Sequence, residues 1–477
     1  MGLSKKIGLL LGPILFLIVV NCPDLLEGKE TANAVIATAL WMVVWWITEA
    51  VSISVTALLP LILFPILNVM NINSVGANYG SPIIFLFFGG FVLALALEKV
   101  NLHKRIALNI IRVTGTTPNK VVLGFMIATA SLSMWISNTA STVVMLPIAM
   151  SVIGLLINDD DGFTKSDRNF ALSVMLGIAF SANAGGIATV IGTPPNSVLI
   201  GLLENEYNIE ISFLKWMTLG LPFSIILLAI CYVVLVKWMF PNKQLQFKAS
   251  KEVITQELSK LGPTSGKEKM VLAIFGVTVF LWIFRTVING IFPSLGLSDT
   301  IISMMAAVSL FAIPYNLKKG DFIIKWNDTH KLAWGILILF GGGLALANGM
   351  SSSGLVDVVS NAIATSEISI LFTAVLLILL MLFMTELMSN VALVAVLAPV
   401  VAGIAIGLNI PMLHLLIPVT IASSCAFMLP MATPPNAIVF ASGYIEVHQM
   451  ARVGIILNLI SVVLLVLMFQ FVIPLLF

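Results

Sequence analysis

Two polar breaks interrupt otherwise apolar runs, Ser137-Asn138-Thr139 and Ser389-Asn390-Val391. Two further runs carry Thr193-Pro194-Pro195-Asn196 and Thr433-Pro434-Pro435-Asn436. None of the four motifs contains a basic residue. Proline removes an amide donor and disfavours helix at the residue before it. Pro194 and Pro434 should therefore split the runs 171–202 and 412–440 into half-helices. A half-helix N-terminus aims unpaired N–H groups and a positive dipole end into the break. Ser and Asn are natural caps for two more helix starts at the other breaks. Such a set favours an anion without any arginine. Two symmetric sets suit a ligand with two anionic ends, such as a dicarboxylate. The same breaks free backbone carbonyls, which with Ser, Thr and Asn oxygens suit a hard cation. Na+ is the natural candidate. One half offers Ser133, Ser137, Asn138 and Gly192; the other offers Thr385, Asn390 and Ala432.

The elements that must position these residues are membrane spans. Of 477 residues, 59% are hydrophobic and only 10% charged. A water-soluble domain carries about 25% charge. The expected fold class is an all-α polytopic membrane protein. Apolar runs of span length place eleven transmembrane helices near 7–21, 33–48, 50–68, 82–98, 171–202, 212–239, 270–289, 299–315, 332–350, 412–440 and 452–476. The regions 121–157 and 369–408 break in the middle and read as two re-entrant helical hairpins. Residues 121–136 as helix reach only about 24 Å, short of a hydrocarbon core of about 30 Å. With a cytoplasmic N-terminus, 21 of the 24 basic residues fall inside, and the C-terminus lies outside. Lys29, Lys215 and Arg285 are the exceptions. The stretch 99–120, basic with interleaved Leu and Ile, reads as lying along the interface. The polar segment 241–269 is a loop with a short helix near 250–260.

The halves repeat. Phe88-Gly89-Gly90 recurs at Phe340-Gly341-Gly342, Ser137-Asn138 at Ser389-Asn390 and Pro147 at Pro399, each 252 residues on. Thr193-Pro194-Pro195-Asn196 recurs 240 residues on. Lys120, Lys165 and Arg168 flank the first hairpin. No Lys or Arg lies in 350–368 or 401–411, which flank the second, so the repeat is inverted. Inverted repeats with discontinuous helices mark secondary transporters. An anion channel is the rival from another class. An enzyme is not expected, for there is no Ser/Lys dyad, facing Asp pair or metal-spaced His. No phosphate-binding loop, nucleic-acid partner or organic cofactor is indicated.

Several residues have plainer readings. Glu386, three residues before Ser389, is either a functional intramembrane acid or a brace for the hairpin tip. Arg285 reads as snorkelling at the outer end of a span. The Trp41, Trp45, Trp46 stripe reads as packing. His103, His330, His414 and His448 are scattered, and Cys22, Cys231 and Cys425 read as small buried residues.

The Ser137-Asn138-Thr139, Gly192-Thr193-Pro194-Pro195-Asn196, Ser389-Asn390 and Ala432-Thr433-Pro434-Pro435-Asn436 stretches together resemble the divalent anion/sodium symporter family. The resemblance covers nearly the whole chain. It implies a homodimer of eleven-span protomers in the plasma (inner) membrane, each with a scaffold and a transport part that slides as an elevator. Residues 1–115 and 205–350 would be scaffold, and 116–204 and 351–477 transport. The implied substrates are succinate, malate, fumarate, 2-oxoglutarate or citrate, with Na+. By resemblance, Ser137, Asn138 and Thr139 with Thr193 and Pro194 would face one carboxylate. Ser389 and Asn390 with Thr433 and Pro434 would face the other. Ser133, Ser137, Asn138 and Gly192 would hold one Na+, and Thr385, Asn390 and Ala432 a second. Val391 stands where the family usually has threonine, and Met388 where a small residue is common. A thioether is a poor neighbour for a hard cation. These departures lean toward dicarboxylate exchange, with Na+-coupled symport as the alternative.

Overall fold

A backbone in hydrocarbon must satisfy its own N–H and C=O groups, so so apolar a chain should be helical throughout. The structure, a computed structural model, is predominantly helical, with one short antiparallel strand pair, Pro314–Asn316 and Asp321–Phe322. It describes residues 2–22, 30–115, 117–157, 164–241, 250–316, 318, 320–365 and 368–477. Lys29, Lys243, Lys248 and Lys319 of the charge count lie outside them.

Helices α1 (Leu3–Val20) and α2 (Glu30–Thr48) pair side by side. A Cβ on Gly12 would meet Trp41 at 2.7 Å, so glycine lets the two approach. Trp41 and Trp45 meet edge-on at 5.2 Å, and Trp46 Nε1 donates to Ile53 O. The tryptophan stripe is packing, as expected. The stretch 50–68 is not one helix but α3 (Ile53–Thr56) and α4 (Leu59–Ile66). A short α5 (Ile72–Tyr79), which the sequence reading missed, precedes α6 (Pro82–Lys99). Then α7 (Leu102–Thr114) follows, apolar on one face as expected of an interfacial helix.

The first hairpin is α8 (Pro118–Ser133) and α9 (Asn138–Ile157). A broken helix follows, α10 (Lys165–Gly186) and α11 (Pro194–Tyr207). Every residue of α10 from Phe170 to Gly186 is buried, so this helix is the centre of the molecule. Next come α12 (Phe213–Tyr232), α13 (Ser250–Lys260), α14 (Gly266–Ile291) and α15 (Asp299–Ala312). The second half repeats the order. A long α16 (Trp334–Ser352) and a short α17 (Leu355–Ala364) precede the second hairpin, α18 (Ile370–Met384) and α19 (Asn390–Gly407). Its broken helix is α20 (Met412–Ala422) and α21 (Pro434–Phe440). The chain closes with α22 (Val447–Leu467) and α23 (Ile473–Leu476). Helix α17 is the counterpart of α7 and extends the repeat beyond the motifs that revealed it.

Eight segments among the described residues are long and apolar enough to cross a membrane, against the eleven spans expected. The runs 50–68, 171–202 and 412–440 drop out because they are interrupted, and 299–315 because α15 has 14 residues. One hairpin arm, α19, meets the criterion although it was expected to turn back.

Ion pairs reveal which ends coincide. Lys104 pairs with Glu257 and Arg105 with Glu268, joining α7 to the 257–268 region, and Lys99 at the end of α6 pairs with Asp328. Arg168 Nη2 lies 2.6 Å from Glu446 Oε1, so α10 begins where α21 has just ended. At the far end of α11, Asn205 bonds Ser81, and Glu210 pairs with Arg285. The two broken helices therefore run in opposite directions. Arg285 does not snorkel. Its side chain is 11% exposed and meets Glu210 at 2.7 Å and Asp299 at 3.4 Å. Asp299, at the start of α15, also accepts the Phe213 N–H.

Candidate functional site

Both hairpin tips are capped as their residue types suggest. Ser137 Oγ accepts the Ala140 N–H at 3.1 Å, and Ser389 Oγ the Ala392 N–H at 3.5 Å. Ser137 and Thr139 are exposed, while Asn138, Ser389 and Asn390 are half-buried. The tip symmetry fails at Val391, which is 7% exposed where its counterpart Thr139 is open. The Val391 N–H is held by Asn390 Oδ1 at 2.9 Å.

The first tip packs into the first break. Ser133 Oγ lies 2.6 Å from the Asn138 amide and donates to Ala182 O at 2.8 Å. With its nitrogen turned inward, Asn138 donates to Ala182 O at 3.2 Å and Gly192 O at 3.3 Å. Turning the amide over exchanges that donor for an oxygen. Four oxygens then face one another, the surroundings a hard cation prefers. Ser133, Asn138 and Gly192 are thus brought together, and Ala182 O joins them. Ser137 instead serves its own helix. Glycine leaves room here, because a Cβ on Gly186 would lie 2.5 Å from the Asn138 amide.

In the second half Thr385, Asn390 and Ala432 bond elsewhere rather than to one another. Thr385 Oγ1 donates to Ser423 O at 2.8 Å, one residue past the position that matches Ala182 at the 240-residue offset. The Ala432 N–H goes to Leu429 O at 3.2 Å. Met388, 8% exposed, is buried beside this tip.

The breaks form where proline demanded them, and Asn closes each. Thr193 and Thr433 are extended, at φ −140° and −141°, just before the prolines that open α11 and α21. Asn196 Nδ2 donates to Thr189 O at 2.9 Å. Asn436 Nδ2 donates to Ala426 O and Leu429 O, both at 3.1 Å. Those carbonyls are what the break sets free. One expectation changes. Pro194 and Pro195, like Pro434 and Pro435, sit where a helix has its first free amides, and proline has none. The Asn196 N–H is taken by Thr193 O, and the Asn436 N–H lies on Thr433 Oγ1. These half-helices bring their dipole to the site and few amide donors. The donors lie on the tips, where α9 and α19 begin without proline.

Glu386 is a brace. Its carboxylate accepts the N–H groups of Phe427, Met428 and Leu429 at 2.9, 3.0 and 3.1 Å, and Asn458 Nδ2 at 2.7 Å. It holds the unwound stretch between α20 and α21 rather than the tip itself. The first half has Met134 at this position, and there Thr189 Oγ1 donates to Met134 O at 2.6 Å. The basic side chains with ion pairs lie at the ends of the molecule, away from all four motifs.

A family model described as the sodium:sulfate symporter transmembrane region matches residues 4–477. A sodium-dependent dicarboxylate transporter, SdcS, of Staphylococcus saprophyticus subsp. saprophyticus is 42% identical over 481 residues, covering 99% of this chain and 92% of that protein. The protein of the same name from Staphylococcus aureus (strain USA300) is 39% identical over 478 residues, with the same coverage. Among solved structures, the YdaH transporter of Alcanivorax borkumensis superimposes with a TM-score of 0.55. It is 12% identical, and the match covers 84% of this chain and 88% of that one, a likeness of fold alone.

Proposed function

The chain belongs to the sodium:sulfate symporter family, and from that premise we propose that it carries dicarboxylates across the plasma membrane in symport with Na+. The observation that carries this reading is the meeting of Ser133 Oγ, the Asn138 amide, Ala182 O and Gly192 O at one hairpin tip. Those groups suit Na+, and the relatives that match over full length are named as sodium-dependent. One carboxylate would meet Ser137, Asn138, Thr139, Thr193 and Pro194. The other would meet Ser389, Asn390, Thr433 and Pro434. Neutral donors and helix dipoles bind a dianion without a resident positive charge to release afterwards.

The proposed protomer has eleven spans and two re-entrant hairpins, assembles as a homodimer and works by elevator motion. Helix α12 is better counted with the moving part than with the scaffold. Trp216 Nε1 donates to Ile187 O inside the first break, and Gly220 packs on the same carbonyl. Exchange stays as the second reading, because Val391 and Met388 are buried and apolar at the second tip.

Proteoliposomes separate these readings. Uptake of labelled succinate into empty vesicles, driven by an inward Na+ gradient and saturable, is expected. Uptake that requires internal dicarboxylate and ignores Na+ would establish exchange instead. Conductance without saturation would establish a channel.

A further inference from the structure

Asn183 belongs to none of the four motifs. It lies in α10 at 1% exposure, one residue after Ala182, whose carbonyl belongs to the first oxygen cluster. Its side chain turns to the other half of the molecule. Asn183 Nδ2 reaches Ala426 O at 3.3 Å, Thr433 Oγ1 at 3.1 Å and Asn436 Oδ1 at 3.5 Å, all in or beside the second break. Two adjacent residues thus touch both sites, one through its backbone and one through its side chain. The repeat does not require this. The residue 240 positions on is Ser423, whose hydroxyl turns back to Thr420 O within its own helix. The bridge therefore runs one way. It is also costly, because Asn183 Oδ1 is buried without a hydrogen-bond partner. An aliphatic residue would fill the space without that cost, but it could not tie Thr433 and Asn436 to α10.

Resting on the Na+-coupled reading, we infer that Asn183 is a positioning residue that couples the cation site of the first half to the substrate-facing Thr433 of the second. A cation drawing on Ala182 O fixes the adjacent turn of α10. Asn183 hands that order to Thr433 and Asn436. Na+ then raises dicarboxylate affinity at a site it does not touch, and linkage makes the effect reciprocal.

The test is a double titration. Succinate half-saturation is measured at low and at saturating Na+ in proteoliposomes, for the parent and for Asn183→Ala. Couplings of this kind are on the order of 5–150-fold. The parent ratio should lie in that range, and the Asn183→Ala ratio should fall to less than about 3-fold. A role in packing alone would lower maximal uptake and thermal stability and leave the ratio unchanged, and that result overturns the inference. A parent whose succinate affinity ignores Na+ overturns the Na+-coupled reading itself, whatever the variant does. Should Asn183→Ala fail to fold, Asn183→Ser, too short to span to Thr433 and Asn436, takes its place. Thermal shifts with Na+, succinate and both together give the same ratio without transport: synergy in the parent and additivity in the variant.

Discussion

Replacing Glu386 tests the reading of the second break most directly. The residue is 3% exposed, and its carboxylate takes four N–H donors. Three of them, from Phe427, Met428 and Asn458, go to Oε1, and only Leu429 goes to Oε2. In Glu386→Gln the amide oxygen can take the Oε1 position and keep three bonds. The amide nitrogen then faces the Leu429 N–H, leaving one buried donor unsatisfied at about 1–3 kcal/mol. The surviving bonds fall from charged to neutral strength, a loss of roughly 1 kcal/mol each. The sum is about 4–6 kcal/mol. Unfolding entropy grows with chain length, so a chain of this size moves by about 1 °C per kcal/mol on the scaling of soluble proteins. The expected drop in melting temperature is therefore about 4–6 °C for Glu386→Gln. Glu386→Ala, which abandons all four donors, should fall further. Thermal unfolding of the purified protein in detergent measures both. Equal shifts for the two variants, or shifts below about 1 °C, would refute the brace.

Asn138→Ala removes the amide at the centre of the first oxygen cluster and should abolish uptake while the protein still elutes as a folded species. Gly186→Ala puts a methyl 2.5 Å from Asn138 Oδ1 and should cut uptake by about 10-fold or more, the usual scale for a misplaced site; wild-type uptake would show that the tip can shift. Val391→Thr buries a hydroxyl at a 7% exposed position, at about 1–3 kcal/mol unless it finds a partner. It should melt earlier, and a rise in both stability and Na+ affinity would show that the missing hydroxyl matters. The Lys104 and Lys260 ammonium groups beside Glu257 hold its carboxyl below the ordinary 4.5. Its contribution is therefore complete above that value and is lost as pH falls through the lowered one. The stability gap between the parent and Glu257→Gln should be flat near neutrality and close in acid.

The tips and breaks were legible because their residue types act locally. A Ser-Asn pair in an apolar run caps a helix wherever the fold puts it, and a Pro-Pro pair stops one. The doubled offset then made chance an inadequate explanation. The charged residues were legible as marking segment ends, as the Arg168–Glu446 and Arg105–Glu268 pairs illustrate. Backbone atoms were invisible. Ala182 O and Ser423 O complete the tips, yet nothing in the identity of either residue announces it. Helices α5 and α17 escaped notice because eight or ten residues are too few for a hydropathy signal. Glu386 could not be assigned because spacing does not say which way amides 427–429 point. Arg285 was misread because Glu210 lies 75 residues away, and side-chain length alone suggested the interface.

The opposed run of the two broken helices also bears on how membrane voltage acts here. Their macrodipoles cancel, so a unit containing both carries little net dipole across the field. Under the proposed elevator motion, an ionised Glu386 in that unit would cross once loaded and once empty, in opposite directions, and sum to nothing over a cycle. The potential can then work only on the cargo. Two Na+ with a dianion would be electrically silent. Each further Na+ would draw about 2.3 kcal/mol from every 100 mV. Current per dicarboxylate thus counts the sodium ions.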